Sequence, residues 1–560
     1  MSDHQPPSGM PEYLDSGHPA PLPPVFSEAP PPRRSRRTTW WMAGGIVGLL
    51  ALGAGAWAAL SFFRQGPQPA EALPASTIAY VGVDLDPSGS QKIDAFRTLN
   101  KFPAFKDKIG IHSTDDVRRK IGEAIIESTG CDLTYDADID PWLGDRAAFA
   151  AVDLADATPD VVVVVQVKDD AKAESGLHQL ATCGDHPVTD LGYDVHDGWA
   201  VLARSQHVAD AVVAETRTGS LADDATYQKW TKAVGDSGVV NMYAAPAAGD
   251  FLARELGGLE GSLGGLGLGL GQTSTSSEGS SQATAYSSSL TVTQDGGTDL
   301  TQALKGFHGA AATIRFTGDG LELATASDPG LSQADVASDR GGAVVSRLPD
   351  DTAAALGIGL RSGWFTRVVE KVGTAQGETS QQLMSDLSAR SGLDLPGDVE
   401  TLLGSSAALS ISKDFDFEAA TNSADGVGLP VAVTVKGDPA AIGKVLDELR
   451  AQAGSDAGSA VLASDSSGDL VAVGPTPAYR KSVLAGGHLG DTDAFRSVIP
   501  DAEHASMVFF LDVDDLERAL SQADGGDQQV TANVAPLQAF GFSAWLEGDV
   551  ARTSLRISTD

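Results

Sequence analysis

Residues 128–153, STGCDLTYDADIDPWLGDRAAFAAVD, recur at 389–414 as ARSGLDLPGDVETLLGSSAALSISKD. Gly130, Asp132, Leu133 and Leu143-Gly144 fall on Gly392, Asp394, Leu395 and Leu403-Gly404. A segment used twice implies a structural unit used twice, and the match extends outward. Leu73-Pro74 opens an apolar run ending at Val83, and Leu348-Pro349 opens another ending near Leu360. VVVVVQVKDDAKAESGLHQL from Val161 resembles LPVAVTVKGDPAAIGKVLDEL from Leu429, a strand and Val-Lys followed by an amphipathic helix. Gly219, Leu221, Asp223 and Tyr227 correspond to Gly487, Leu489, Asp491 and Phe495, and Gly309–Gly320 resembles Gly541–Asp549.

Each copy reads as a strand led by Leu-Pro, an amphipathic helix (Ile93, Phe96 and Leu99 in the first copy) and a second helix. That second helix starts at a Ser113/Thr114 cap and stops at Gly130; its counterpart runs from Thr379 to Gly392. Strands follow at 146–153, 160–167 and 198–203, then a helix at 205–216 and strands near 239–243 and 309–326. Consecutive strands with interspersed helices predict two tandem α+β domains, 72–330 and 345–560, with mostly antiparallel sheets packed as a pseudo-symmetric pair. The first copy carries an insertion, residues 257–300, with eight glycines in the fifteen residues 257–271 and a Ser/Thr tract after them. Glycine raises the entropy cost of ordering, so a mobile loop is expected, with its leucines touching lipid or a partner as the alternative.

Two further segments precede the copies. Residues 1–39 hold ten prolines, four acids and four arginines and no apolar period, the composition of a disordered tail. Pro30-Pro31-Pro32 before Arg33 and Arg34 also fits a polyproline ligand. From Trp40 to Phe63 there are 24 uncharged residues, about 36 Å as a helix, enough to cross a hydrocarbon core of about 30 Å. Trp40, Trp41, Phe62 and Phe63 sit at the headgroup levels. Arg33, Arg34, Arg36 and Arg37 precede the span and Arg64 alone follows, which sets the N-terminus in the cytoplasm and the copies outside. The partner of 40–63 is therefore the lipid bilayer, and the expected location is the cell membrane, single-pass. A cleavable signal peptide competes, because Ala54-Gly55-Ala56 and Ala56-Trp57-Ala58 are permissive cleavage patterns. Gly44 and Gly48 have the spacing of a helix-dimer motif.

The 560 residues carry 39 Lys+Arg against 75 Asp+Glu, a net charge of −36. The tail is balanced and the span uncharged, so the whole excess falls on the copies, which argues against a nucleic-acid partner. Two cysteines exclude a disulfide scaffold and a thiolate-built metal cluster. Cys131 and Cys183 lie outside the membrane in the first copy, and a disulfide, two buried thiols and a metal or redox role all stay open. Asp84-x-Asp86-x-Ser88-Gly89 begins like a calcium loop but reaches Ala95 where the bidentate Glu belongs. Asp136, Asp138 and Asp140 have calcium spacing, then Pro141 replaces the turn glycine. His186 and His196 lie near Cys183 and Asp185 without forming a ligand motif, and no nucleophile elbow or phosphate loop is present. No catalytic residue, metal or cofactor is assigned.

LPASTIAYVGVDLDPSGSQKIDAFRTLNKFPAF from Leu73, DIDPWLGDRAAFA from Asp138 and SLADDATYQKW from Ser220 resemble the actinobacterial DUF3352 family of membrane-anchored proteins. The resemblance covers nearly all of residues 65–560, including the duplication, implies an envelope location and carries over no catalytic residue. The expected role is non-enzymatic binding or scaffolding in the cell envelope, with an envelope protein, lipid or polymer as partner. An envelope hydrolase with dispersed catalytic residues and a signalling receptor using the short tail are the alternatives. A pocket of convergent His and carboxylates in one copy favours the enzyme, and an elongated apolar groove favours binding.

Overall fold

The first copy supplies β1 (Thr77–Asp84), β2 (Leu143–Val152), β3 (Asp160–Val167), β4 (Gly192–His196), β5 (Trp199–Ala203), β6 (Val240–Ala244), β7 (Ala310–Thr317) and β8 (Gly320–Ser327). The second supplies β9 (Thr352–Gly359), β10 (Ser406–Ser412), β11 (Val431–Lys436), β12 (Ser464–Ser467), β13 (Leu470–Val473), β14 (Met507–Asp512), β15 (Leu537–Glu547) and β16 (Val550–Thr559). The computed structural model describes residues 67–560, except 86–88, 103–117, 121, 124–125, 128–130, 156–157, 184–190, 257–305, 319, 330–336, 377–378, 417–427, 454–455 and 515–531. The tail, the span at 40–63 with its flanking Arg33, Arg34, Arg36, Arg37, Trp40, Trp41, Phe62 and Phe63, the Ser113/Thr114 cap, His186 and the glycine-rich insertion lie outside the described residues. Among the described residues no helix is long and apolar enough to cross a membrane.

All sixteen strands join one antiparallel sheet, in the order β12-β13-β11-β10-β9-β14-β15-β16-β8-β7-β6-β1-β2-β3-β5-β4. From either edge inward the order is the same once eight is subtracted from the second copy's labels, so the duplication read in the sequence is a duplication of topology. The copies do not form two separate sheets. They meet where β8 pairs antiparallel with β16, Ala324 opposite Ser554. Aligning the β7-β8 hairpin with β15-β16 makes these two residues equivalent, so a pseudo-dyad passes between them.

The alternation in β2, LGDRAAFAAV, buries every second residue on one face. The valine run of β3 is β-branched throughout and packs on both faces, as a central strand requires. Helices Gln206–Thr216 and Ala225–Val234 cover one face through Val208, Val212, Val213, Trp230 and Val234, and Tyr479, Val483, Phe495 and Val498 do the same in the second copy. Helices Asp170–Thr182 and Pro439–Ala453 cover the other face. Caps recur with the topology: the Asp224 side chain accepts from Tyr227 N at 2.8 Å, and its counterpart Thr492 accepts from Phe495 N at 3.3 Å. The helix at 380–391 begins at a Thr379/Gln382 capping box and ends at Gly392, which has φ +69°.

The Leu-Pro leaders act as clips. Thr77 Oγ1 donates to Pro74 O and Thr352 Oγ1 to Pro349 O, each at 2.7 Å. Leu221 N donates to Leu73 O and Leu489 N to Leu348 O, and all four leucines are fully buried. The first amphipathic helix is Gly89–Leu99, but Ile93 is 60% exposed. Ala95, with Leu99 packed beside it, faces the sheet instead, so the core stripe is rotated from the one the apolar spacing suggests.

Candidate functional site

The pseudo-dyad lies at the bottom of a cleft of about 320 Å3 between the two copies. Its floor is the last hairpin of each copy, and its rim is Val234, Gly235 and Asp236 on one side and Asp501 on the other. Gly235 ends the helix Ala225–Val234 at φ +91°, a conformation open to glycine, and this turn presents the Asp236 carbonyl to Arg315 Nη1 at 2.8 Å. On the opposite side Gly541 lets the helix Asp493–Val498 come close: a Cβ there would stand 2.7 Å from Val498 and Ile499.

Cross-strand register fixes which side chains share the floor, because directly opposed residues point to the same face. Arg315 on β7 opposes Glu322 on β8, which opposes Arg556 on β16. On the other side of the dyad Ala326 opposes Arg552, which opposes Trp545 on β15. Arg315 Nε donates to Glu322 Oε2 at 2.7 Å, Ser554 Oγ donates to Oε1 at 2.7 Å, and Arg556 Nη2 lies 3.1 Å from Oε1. The Glu322 side chain is 3% exposed. Burial pushes its carboxyl up, but the Arg315 hydrogen bond, the Arg556 charge and the Ser554 hydroxyl outweigh burial and hold it below the ordinary carboxylate range.

The cleft is asymmetric although its frame is not. The dyad relates Glu322 to Arg552, Arg315 to Trp545 and Arg556 to Ala326. One carboxylate is shared by two guanidiniums, and among the described residues the third guanidinium, Arg552, has an ion pair only with the 65% exposed Glu547, at 2.7 Å. Among the described residues two buried donors near the dyad have no partner, Arg556 Nε and Ser543 Oγ, the latter opposite Ser554, while Arg552 Nε meets Glu547 as an ion pair outside hydrogen-bond geometry. Such donors cost free energy until an acceptor reaches them, and of the two Arg556 lines the cleft.

The residues singled out in the sequence stand elsewhere. Cys131 and Cys183 form a disulfide, Cα–Cα 5.4 Å, tying the Cys131–Ile139 stretch to the end of helix Asp170–Thr182. Asp136 pairs with Arg119 at 2.7 Å, Asp138 accepts from Thr134 N at 2.8 Å, and Asp140 lies near Arg118 and Lys168. Asp84 is buried against Arg146 at 2.8 Å. His196 Nδ1 sits 3.0 Å from Asp194 on β4, an edge strand. Among the described residues no group of three His, Cys, Asp or Glu converges as metal ligands.

None of the cleft residues was a sequence candidate. The available signal was a charge inside a strand: Arg315 in ATIRFT, Glu322 in GLELATAS, and Arg552 and Arg556 in VARTSLRIST. The cleft belongs to both copies and sets three guanidiniums against Glu322, Asp236 and Asp501. It is neither a His-carboxylate pocket in one copy nor an elongated apolar groove.

Compared with known proteins, residues 42–455 match the profile of a family described as "Protein of unknown function (DUF3352)". The match ends just beyond helix Pro439–Ala453, short of the C-terminal reach expected from the sequence. No curated protein and no solved structure matches the chain.

Proposed function

The chain belongs to the DUF3352 family, and from that premise we propose that it is a membrane-tethered, extracytoplasmic binding protein of the cell envelope whose ligand sits in the seam cleft. One observation carries the reading: three arginines and a tryptophan gathered at the dyad of a chain whose net charge is −36. Glu322, Asp236 and Asp501 offset the three arginines, so the lining is neutral within a strongly acidic chain, and it is not repeated across the dyad, where equivalent positions hold different residues. Two further features support the tether. The family match begins at residue 42, inside the uncharged run 40–63. The Cys131–Cys183 bridge suits an oxidising compartment.

The role is non-enzymatic. Among the described residues lining the cleft there is no histidine or cysteine, and the Ser554 hydroxyl beside Glu322 meets a carboxylate held below the ordinary range by two arginines, a poor base. Full-length protein extracted in mild detergent and sprayed intact into a mass spectrometer is expected to carry a small molecule that a Trp545→Ala variant loses. Wild-type protein arriving without adduct, or an adduct retained by that variant, sinks the reading of the cleft. The tether is tested separately: in intact cells a membrane-impermeant amine reagent should label lysines of the sheet region, and failure to label them places the copies inside.

A further inference from the structure

We propose that the seam cleft takes a compact organic monoanion, an oxyanion group carried on a ring that lies against Trp545. This deepens the reading of the cleft as the ligand site and rests on it.

Charge supplies the first reason. Glu322 neutralises one of its two guanidiniums, which leaves one positive charge on that side of the dyad. On the other side Arg552 is balanced only by Glu547, 65% exposed and so screened by solvent. The rim acids, Asp236 and Asp501, are both exposed and set against a doubly charged anion more than a singly charged one. Hydrogen bonding supplies the second. Arg556 Nε, on the lining, is a buried donor without a partner among the described residues, and a carboxylate or phosphate oxygen is the acceptor that pairs most strongly with a guanidinium. Shape supplies the third: about 320 Å3 lies at the small end of ligand pockets, room for one ring and its acidic group. Trp545, directly opposite Arg552 in the β15-β16 ladder, offers an aromatic surface beside that cation.

Carboxylate and phosphate monoester share this chemistry, and the test separates them. Calorimetric titration of the full-length protein in detergent would use benzoate, phenyl phosphate as its monoanion at mildly acid pH, and neutral benzamide. One of the two anions is expected to bind, with benzamide weaker by about ten- to a hundredfold, the worth of a hydrogen bond to a charged group. Arg556→Gln and Arg552→Gln should each weaken the anion by a similar factor. Because Arg556→Gln disturbs a buried pair, Arg552→Gln is the variant whose fold is secure, and thermal melting of both checks it. Benzamide binding as tightly as benzoate, with loss on Trp545→Ala, would overturn the anion while leaving the cleft as a site. Neither anion binding overturns the proposal, and an adduct-free native spectrum then removes the cleft reading with it.

Discussion

Glu322 of the first copy holds Arg556 of the second at 3.1 Å, and the positions related to them by the pseudo-dyad are Arg552 and Ala326. A single carboxylate thus serves Arg315, Arg556 and Ser554 where, among the described residues, the copies share a strand pair. Glu322→Gln is expected to cost about 3–5 kcal/mol, the penalty for leaving buried guanidiniums without their anion. Denaturant unfolding of the purified chain measures it, and a loss under about 1 kcal/mol would show the network is not structural.

The same residue sets an acid limb. Its folded pKa is lowered, so its contribution is complete above the unfolded carboxylate value of about 4.3 and is lost as pH falls through the lower folded value. The stability gap between wild type and Glu322→Gln should therefore be constant near neutrality and close on acidification. A gap that widens in acid would contradict the sign.

Asp84 and Arg146 form a buried ion pair whose counterparts in the second copy are Gly359 and Ser406, register partners on β9 and β10. Removing one charge by Asp84→Asn is expected to cost about 3 kcal/mol. Adding Arg146→Met should recover much of that, since the sheet evidently closes at this position without charges in the other copy. A double-mutant cycle with no recovery would mean that Arg146 is held chiefly by the Pro67 carbonyl, 2.9 Å from Nη1.

Tyr227 and Tyr243 meet edge to face at 5.1 Å, where the second copy packs Phe495 on Phe510 at 5.2 Å. Burial pushes the Tyr227 hydroxyl up to about 12, with the neighbouring Tyr80 hydroxyl pulling it down slightly. A raised folded pKa leaves stability untouched below the unfolded value of about 10 and erodes it as pH rises toward the folded one. Tyr227→Phe should behave like wild type at neutral pH and lose less between about pH 10 and 12. Circular dichroism against pH reads the difference, and identical alkaline limbs would refute it.

Cutting the Cys131–Cys183 loop, whose ends are 52 positions apart in sequence, is expected to cost about 4 kcal/mol through the entropy of the unfolded chain. The Cys131→Ser/Cys183→Ser double variant and the reduced wild type should unfold at the same denaturant concentration. A difference between them would point to packing at the sulfurs rather than chain constraint.

Local chemistry made much of this fold readable. The valines of β3 fix the strand at 160–167, and Thr379 with Gly392 mark a helix by its caps. Repetition then located the rest of the second copy. Edge strands β4, GYDVH, and β12, SDSS, were not readable, because an edge needs little apolar alternation and takes its shape from β5 and β13. The cleft was hidden for a different reason. Arg315 and Glu322 are seven residues apart, but Arg556 reaches them only because β8 and β16 pair, and nothing local in either strand specifies that pairing.

That strand pair has a consequence for how the site could be made. Two equivalent edge strands joined antiparallel about a two-fold axis are what a homodimer of single repeats would build, and in a homodimer every substitution appears twice. A glutamate at the position of Glu322 would recur at the position of Arg552, and the arginine opposite it would recur at the position of Ala326. Linking both subunits into one polypeptide releases them from this rule. The joined chain can set a carboxylate on one side and an indole on the other, and so recognise a molecule that has no symmetry of its own.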